Sequence, residues 1–123
     1  MRAEQTVVQE FLLARPVMLE NNANPARMAD LLQTEVDELK AEIMEGNTDK
    51  IAQELPDVVF FLFTIAELHG IDLENAFYAK TLRNEHKYKE EMFDGSMTYE
   101  EAATLCRTMW NRDNDVNFTP DSI

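Results

Sequence analysis

Two pairs of carboxylates have a spacing that can do chemistry. Glu35-x-x-Glu38 and Glu54-x-x-Asp57 each set two acids three residues apart, on one face of a helix. Fifteen residues lie between the pairs. The second pair runs directly into six apolar residues, Val58 to Phe63. A helix that is apolar all round belongs in an interior. A carboxylate carried toward one is costly unless it is paired or holds a metal. Four carboxylates converging at one level would repel one another, and a hard divalent ion relieves that. Mg²⁺ takes oxygen ligands in octahedral geometry, so the quartet reads as a Mg²⁺ site.

Two helices must position it. Asn24-Pro25 is a helix start, a capping residue followed by proline at the first helical position. That helix runs from 25 to about 45, with Met28, Leu31, Leu32, Val36, Leu39 and Ile43 as its apolar stripe. Glu35, Glu38 and Glu42 fall on the flank of the stripe. Gly46-Asn47 stops it, and a second helix runs from 48 to about 69. The tight turn makes the two antiparallel neighbours. Both pairs lie about seven or eight residues from the turn, so at about 1.5 Å per residue they reach a similar height. Pro56 interrupts one backbone hydrogen bond and predicts a kink or local widening there. Glu42 and Glu45 read as ordinary acidic helix surface.

The rest of the chain reads as further helices. Residues 3–14 form a first one, ended by Arg15-Pro16, with a polar connection over Glu20–Asn24. A fourth runs from 73 to about 91 and carries Lys80, Asn84 and Lys87 on one face, with Arg83 at its border. Four of the eleven Lys and Arg residues fall between 80 and 89, a grouping suited to the outer phosphates of a polyphosphate. A break over Met92–Met97 precedes the capping box Thr98-x-x-Glu101, a short fifth helix to about Trp110, and a loose polar tail. The fold class is all-α, a bundle of four to five helices. Phe11, residues 16–24 and Trp110 read as packing residues more than as a base-stacking surface.

Composition narrows the function. The 123 residues suit one small domain, and a net charge of −13 repels nucleic acid. It tolerates a polyphosphate that divalent cations neutralise. Val58–Phe63 is far short of the roughly 20 residues of a membrane span. Cys106 is the only cysteine, and no signal-peptide or zinc pattern appears. The reading is a soluble, cytoplasmic protein. Asp113-Asn114-Asp115-Val116-Asn117 begins like a calcium loop but has Phe118 where glycine is required. Neither His69 nor His86 has the Glu three residues earlier that a di-iron bundle needs. Apolar surface that a short chain cannot cover predicts a homodimer or homotetramer.

The pattern resembles the all-α nucleoside triphosphate pyrophosphohydrolases of the MazG type. It is carried by Leu32-Gln-Thr-Glu35-Val-Asp-Glu38-Leu39 and Glu54-Leu-Pro-Asp57-Val-Val59, then by Ala66-Glu-Leu-His-Gly70-Ile-Asp72 and Arg83-Asn84-Glu-His-Lys87. The likeness covers about 4–91, so residues 1–91 read as the MazG-like domain and 92–123 as a C-terminal extension. It implies hydrolysis of a (deoxy)nucleoside triphosphate to monophosphate and pyrophosphate, in nucleotide-pool housecleaning, by a Mg²⁺-dependent homo-oligomer. By position, Glu35, Glu38, Glu54 and Asp57 take the metal roles. Glu35 or Glu38 orients or deprotonates the attacking water. Asn84 and Lys87, with Lys80 and Arg83, take the nucleotide phosphates. Thr34 stands where many members carry a further Glu, and Pro56 where relatives often have Gly or Ala. The rival readings are a non-catalytic acidic interaction module and a related enzyme acting on another phosphoribosyl or pyrimidine nucleotide.

Overall fold

A computed structural model describes residues 1–113 of the chain. The secondary structure of the described residues is all helical, with six α-helices and one 3₁₀ turn. The all-α expectation holds, with one helix more than the upper count. The chain divides into two compact units, Met1–Glu74 and Asn75–Ile123.

The first unit holds α1 (Arg2–Leu13), α2 (Pro16–Asn22), α3 (Pro25–Glu45) and α4 (Thr48–Leu68). The sequence predicts a helix end at Arg15-Pro16 and a polar connection over Glu20–Asn24; α2 corrects that. Proline has no backbone N–H to lose at the first helical position, so Pro16 opens a helix as readily as it ends one. Both long helices are capped as their sequences require. Asn24 Oδ1 accepts from the Arg27 backbone N–H at 3.1 Å, and Asn47 Oδ1 from that of Lys50 at 3.1 Å. Gly46 takes φ = 72°, the left-handed conformation that closes α3 cheaply. At the end of α4 the Ile71 N–H reaches back to the Ala66 carbonyl at 2.8 Å, and that of Gly70 to Glu67 at 3.2 Å. α4 is unbroken at Pro56, so the expected disturbance does not split it.

α4 packs against both α3 and α1. Val8, Leu12 and Phe63 form the buried centre, with Met1, Phe11, Leu19, Phe60 and Leu73 packed around it. Gln5 crosses from α1 to the end of α4. Its Nε2 donates to Glu67 Oε1 and to the Ile71 carbonyl, and its Oε1 accepts from the Leu73 N–H. The run Val58–Phe63, expected from its composition to be buried all round, is not. Only Phe63 is buried, while Val59 and Leu62 stay 42% and 43% exposed. Leu55, Val59 and Leu62 fall at steps of four and three, so they form one exposed apolar stripe.

α5 (Leu73–Lys87) begins at the end of the first unit. It stops four residues short of the expected 91. Lys89 is extended and a 3₁₀ turn follows at Glu90–Phe93. α6 (Tyr99–Asp113) begins at the expected capping box: the Glu101 N–H donates to Thr98 Oγ1 at 3.2 Å, and the Thr98 N–H to Glu101 Oε1 at 3.1 Å. Ala102, Ala103 and Cys106 are its buried face. Within this unit Arg107 Nε donates to the Tyr88 hydroxyl at 3.0 Å. The tail beyond 113, with most of the calcium-like half-loop, lies outside the described residues. No described helix is long and apolar enough to cross a membrane.

Candidate active site

Three of the four acids converge. Glu35, Glu38 and Glu54 each offer a carboxylate oxygen, and these oxygens all lie within 4.8 Å of one another. The antiparallel packing of α3 on α4 puts them there. Glu35 and Glu54 are half-buried, and Glu38 is exposed. Asp57 was expected to share the apolar interior. It is exposed, because much of the face of α4 beyond it is uncovered. It still lies close enough for its charge to act on Glu35 and Glu54.

The electrostatics are those of crowding. Glu35 holds its proton more tightly than an ordinary glutamate. Burial is the main cause, then the charge of Glu38 and a hydrogen bond to it, with smaller effects from Asp57 and Glu54. Glu54 is shifted the same way, again first by loss of solvent, then by Glu38, Asp57 and Glu42. Glu35 Oε2, Glu54 Oε2 and Glu42 Oε2 are buried without a hydrogen-bond partner among the described residues. Buried carboxylate oxygens without partners are rare and call for an explanation. A divalent cation supplies one: the donors are all hard oxygens, and the local charge is strongly negative. The residues present therefore fit a metal.

Glu42 was read as surface. Its position at 35, 38 and 42 along one flank of α3 was the available signal, but an exposed Glu on a helix follows the same spacing. Thr34 adds no acid to the group, since its hydroxyl donates to the Asp30 carbonyl at 3.0 Å within α3.

Beside the acids opens a cavity of about 870 Å³, within the usual range of small-molecule sites, about 300–1,000 Å³. All four helices of the first unit contribute: Val7, Val8 and Phe11 from α1, Val17, Met18, Asn21 and Asn22 from α2, Leu31 and Glu35 from α3, and Asp57, Phe60 and Phe61 from α4. Glu35 thus belongs both to the acid group and to the cavity wall, and Asp57, beside the group, lines the wall too. Phe11 meets Phe60 edge to face at 5.3 Å, and the Arg15 guanidinium sits 3.8 Å from the centre of the Phe11 ring. Phe11 and α2 were read as packing. They also line this cavity.

Lys80, Arg83, Asn84 and Lys87 all lie on α5, in the second unit. Lys87 is buried, with its ammonium 5.3 Å from the Tyr88 ring centre. Arg83 lies over the Trp110 ring at 5.8 Å. Asn84 Oδ1 is buried without a hydrogen-bond partner among the described residues.

Residues 23–92, more than half the chain, match the family described as the MazG nucleotide pyrophosphohydrolase domain. No curated protein and no solved structure matches the chain.

Proposed function

The chain belongs to the MazG nucleotide pyrophosphohydrolase family, and we propose that it hydrolyses (deoxy)nucleoside triphosphates to monophosphate and pyrophosphate with Mg²⁺ as its cation, as part of nucleotide-pool housecleaning. One observation carries the reading. An apolar, phenylalanine-lined cavity shares Glu35 with a group of acids whose buried oxygens lack hydrogen-bond partners among the described residues, and Asp57 beside that group also lines its wall. A nucleotide has two such ends, a flat apolar base and a charged polyphosphate.

Glu35, Glu38 and Glu54 would hold the cation, with Asp57 beside them. Bound there, Mg²⁺ would neutralise phosphate charge and make water a better nucleophile. The water oxygen attacks the α-phosphorus, the bond from that phosphorus to the bridging oxygen breaks, and pyrophosphate leaves. Glu35 or Glu38 takes the proton of the attacking water. Phe11, Phe60 and Phe61 exclude water from the base. Lys80, Arg83, Asn84 and Lys87 are assigned to the outer phosphates, and residues 92–123 to a C-terminal extension of residues 1–91. The working partner is the triphosphate, not nucleic acid or a membrane surface, and the working compartment is the cytoplasm. Incubating the folded protein with a panel of ribo- and deoxyribonucleoside triphosphates and Mg²⁺ is expected to release pyrophosphate and the monophosphate from at least one. Release from none overturns the reading.

Assembly follows from the exposed stripe Leu55, Val59 and Leu62, together with Val36 and Ile43 on α3. So much apolar surface marks an interface, and we infer a homodimer or a homotetramer. Light scattering at micromolar concentration is expected to read at least twice the 14.2 kDa of one chain. Leu62→Lys, which sets a charge on that stripe, should shift the mass downward. A monomeric wild-type protein would contradict the assembly.

A further inference from the structure

The proposed hydrolysis leaves one buried amide without a role. Asn22 is only 4% exposed, yet it lines the cavity. A polar group so buried needs partners, and a relay of three residues fixes which way it faces. Arg27 Nη1 donates to Asn21 Oδ1 at 3.0 Å, and Asn21 Nδ2 donates to Asn22 Oδ1 at 3.0 Å. A guanidinium can only donate, so the Asn21 atom facing it must be oxygen. Asn21 then turns its nitrogen, also an obligate donor, toward Asn22. The Asn22 atom that meets it must be oxygen. Both amide orientations therefore follow from the arginine. With Oδ1 held by Asn21, Asn22 Nδ2 lies on the opposite side of the amide. A nitrogen that can only donate favours a ligand edge that accepts.

We propose that Asn22, held in register by Arg27 and Asn21, reads the substrate base by donating from Nδ2 to a ring carbonyl. The favoured substrates are then nucleotides of 4-oxo pyrimidines and 6-oxo purines. The inference rests on the nucleotide reading above. The glycosidic nitrogen must face the phosphates at the Glu35–Asp57 end of the cavity. The base edge left to meet another wall is the remote one, which carries O4 in uracil and thymine and O6 in guanine and hypoxanthine. An amino group at the same position, as in cytosine or adenine, would present hydrogens to hydrogens. A site built to bond one group rejects the analogue that leaves its donor unpaired.

Two pairs of product nucleotides isolate the contact, because each pair keeps the ring shape and exchanges oxo for amino: dUMP with dCMP, and dIMP with dAMP. Titration calorimetry on the full chain with Mg²⁺ gives the affinities. In whichever pair binds more tightly, the oxo member is expected to win by about tenfold or more. Asn22→Ala should bring the ratio close to one. Asn21→Ala, at an exposed position, keeps the fold and should lower the ratio part of the way. In ¹⁵N-labelled protein the Asn22 side-chain amide resonance should move with the oxo member and much less with the amino member. Equal affinities in wild type, an unchanged ratio in Asn22→Ala, or an unmoved resonance would each overturn the assignment. If Asn22→Ala fails to fold, Asn21→Ala and the resonance still decide. Pyrophosphate release is scored separately: a ratio that depends on Asn22 in a protein that hydrolyses no triphosphate supports the base contact and removes only the hydrolase.

Discussion

Glu54→Gln is expected to lower kcat/KM for pyrophosphate release by at least about a hundredfold while making the metal-free protein more stable. The two effects share one cause. Glu54 sits among Glu38, Asp57 and Glu42 with an oxygen buried and unpartnered, and burial and its neighbours raise its pKa. The fold therefore disfavours its charged form at neutral pH. Glutamine keeps the shape and removes the charge, so the fold in chelator is relieved of repulsion. The same exchange removes a ligand from the cation, and with it the neutralisation that phosphoryl transfer needs. Melting curves in chelator should place the variant above wild type, and adding Mg²⁺ should move it much less. Glu35→Gln should behave alike, since Glu35 is raised first by burial and then by Glu38. Glu42→Gln separates ligand from neighbour. Its oxygen is equally unpartnered, but it is not among the three that converge, so its activity should fall less than that of Glu54→Gln. Full activity in Glu54→Gln, or lower stability than wild type in chelator, would remove the acids from the mechanism. A non-catalytic acidic module would show the gain in stability without any Mg²⁺ response to lose.

Local chemistry was legible because it is written in adjacent residues. Asn24-Pro25, Gly46 and Thr98-x-x-Glu101 each mark a helix end with a bond or a backbone angle that depends on two or three positions. The convergence of Glu35, Glu38 and Glu54 was legible for a related reason, since a short turn between two helices fixes their relative height. Burial was not. Val58–Phe63 spells an interior, yet nothing in the run says whether the cover comes from the same chain. Here one chain covers Phe63 and leaves Val59 and Leu62 in the open. The status of Asp57 was misjudged by the same step, since its burial was inferred from neighbours that are themselves uncovered. α2 was missed because Pro16 satisfies both the rule for ending a helix and the rule for beginning one. With α2 went the cavity, for Val17, Met18, Asn21 and Asn22 form one of its walls only once they are helical.

Mg²⁺ at about a hundred times its Kd is expected to stabilise the protein by about 2.7 kcal/mol, a rise in Tm of roughly 10 °C for a chain of this size. The pH dependence should identify where the ion sits. Glu35 and Glu54 have folded-state pKa values raised above the ordinary 4.5. Between 4.5 and the raised values the folded chain binds more protons than the unfolded one, so these two groups lose stability as pH rises through that window. In chelator, Tm should therefore climb as pH is lowered through that window toward the ordinary 4.5. Glu101 and Asp94 work in the opposite sense. Their pKa values are lowered by hydrogen bonds to Thr98 and Ser96, so their contribution is lost only below the ordinary 4.5 and 3.8, outside the window. A cation needs its carboxylates ionised, so the gain from Mg²⁺ should be largest near neutral pH and shrink as Glu35 and Glu54 take up protons. The curves with and without Mg²⁺ should then converge on the acid side and part on the neutral side. Curves that stay parallel across the window would place any bound Mg²⁺ away from these carboxylates. A metal-free protein that grew more stable as pH rose through that window would show that burial and neighbouring charge do not penalise these carboxylates in the fold.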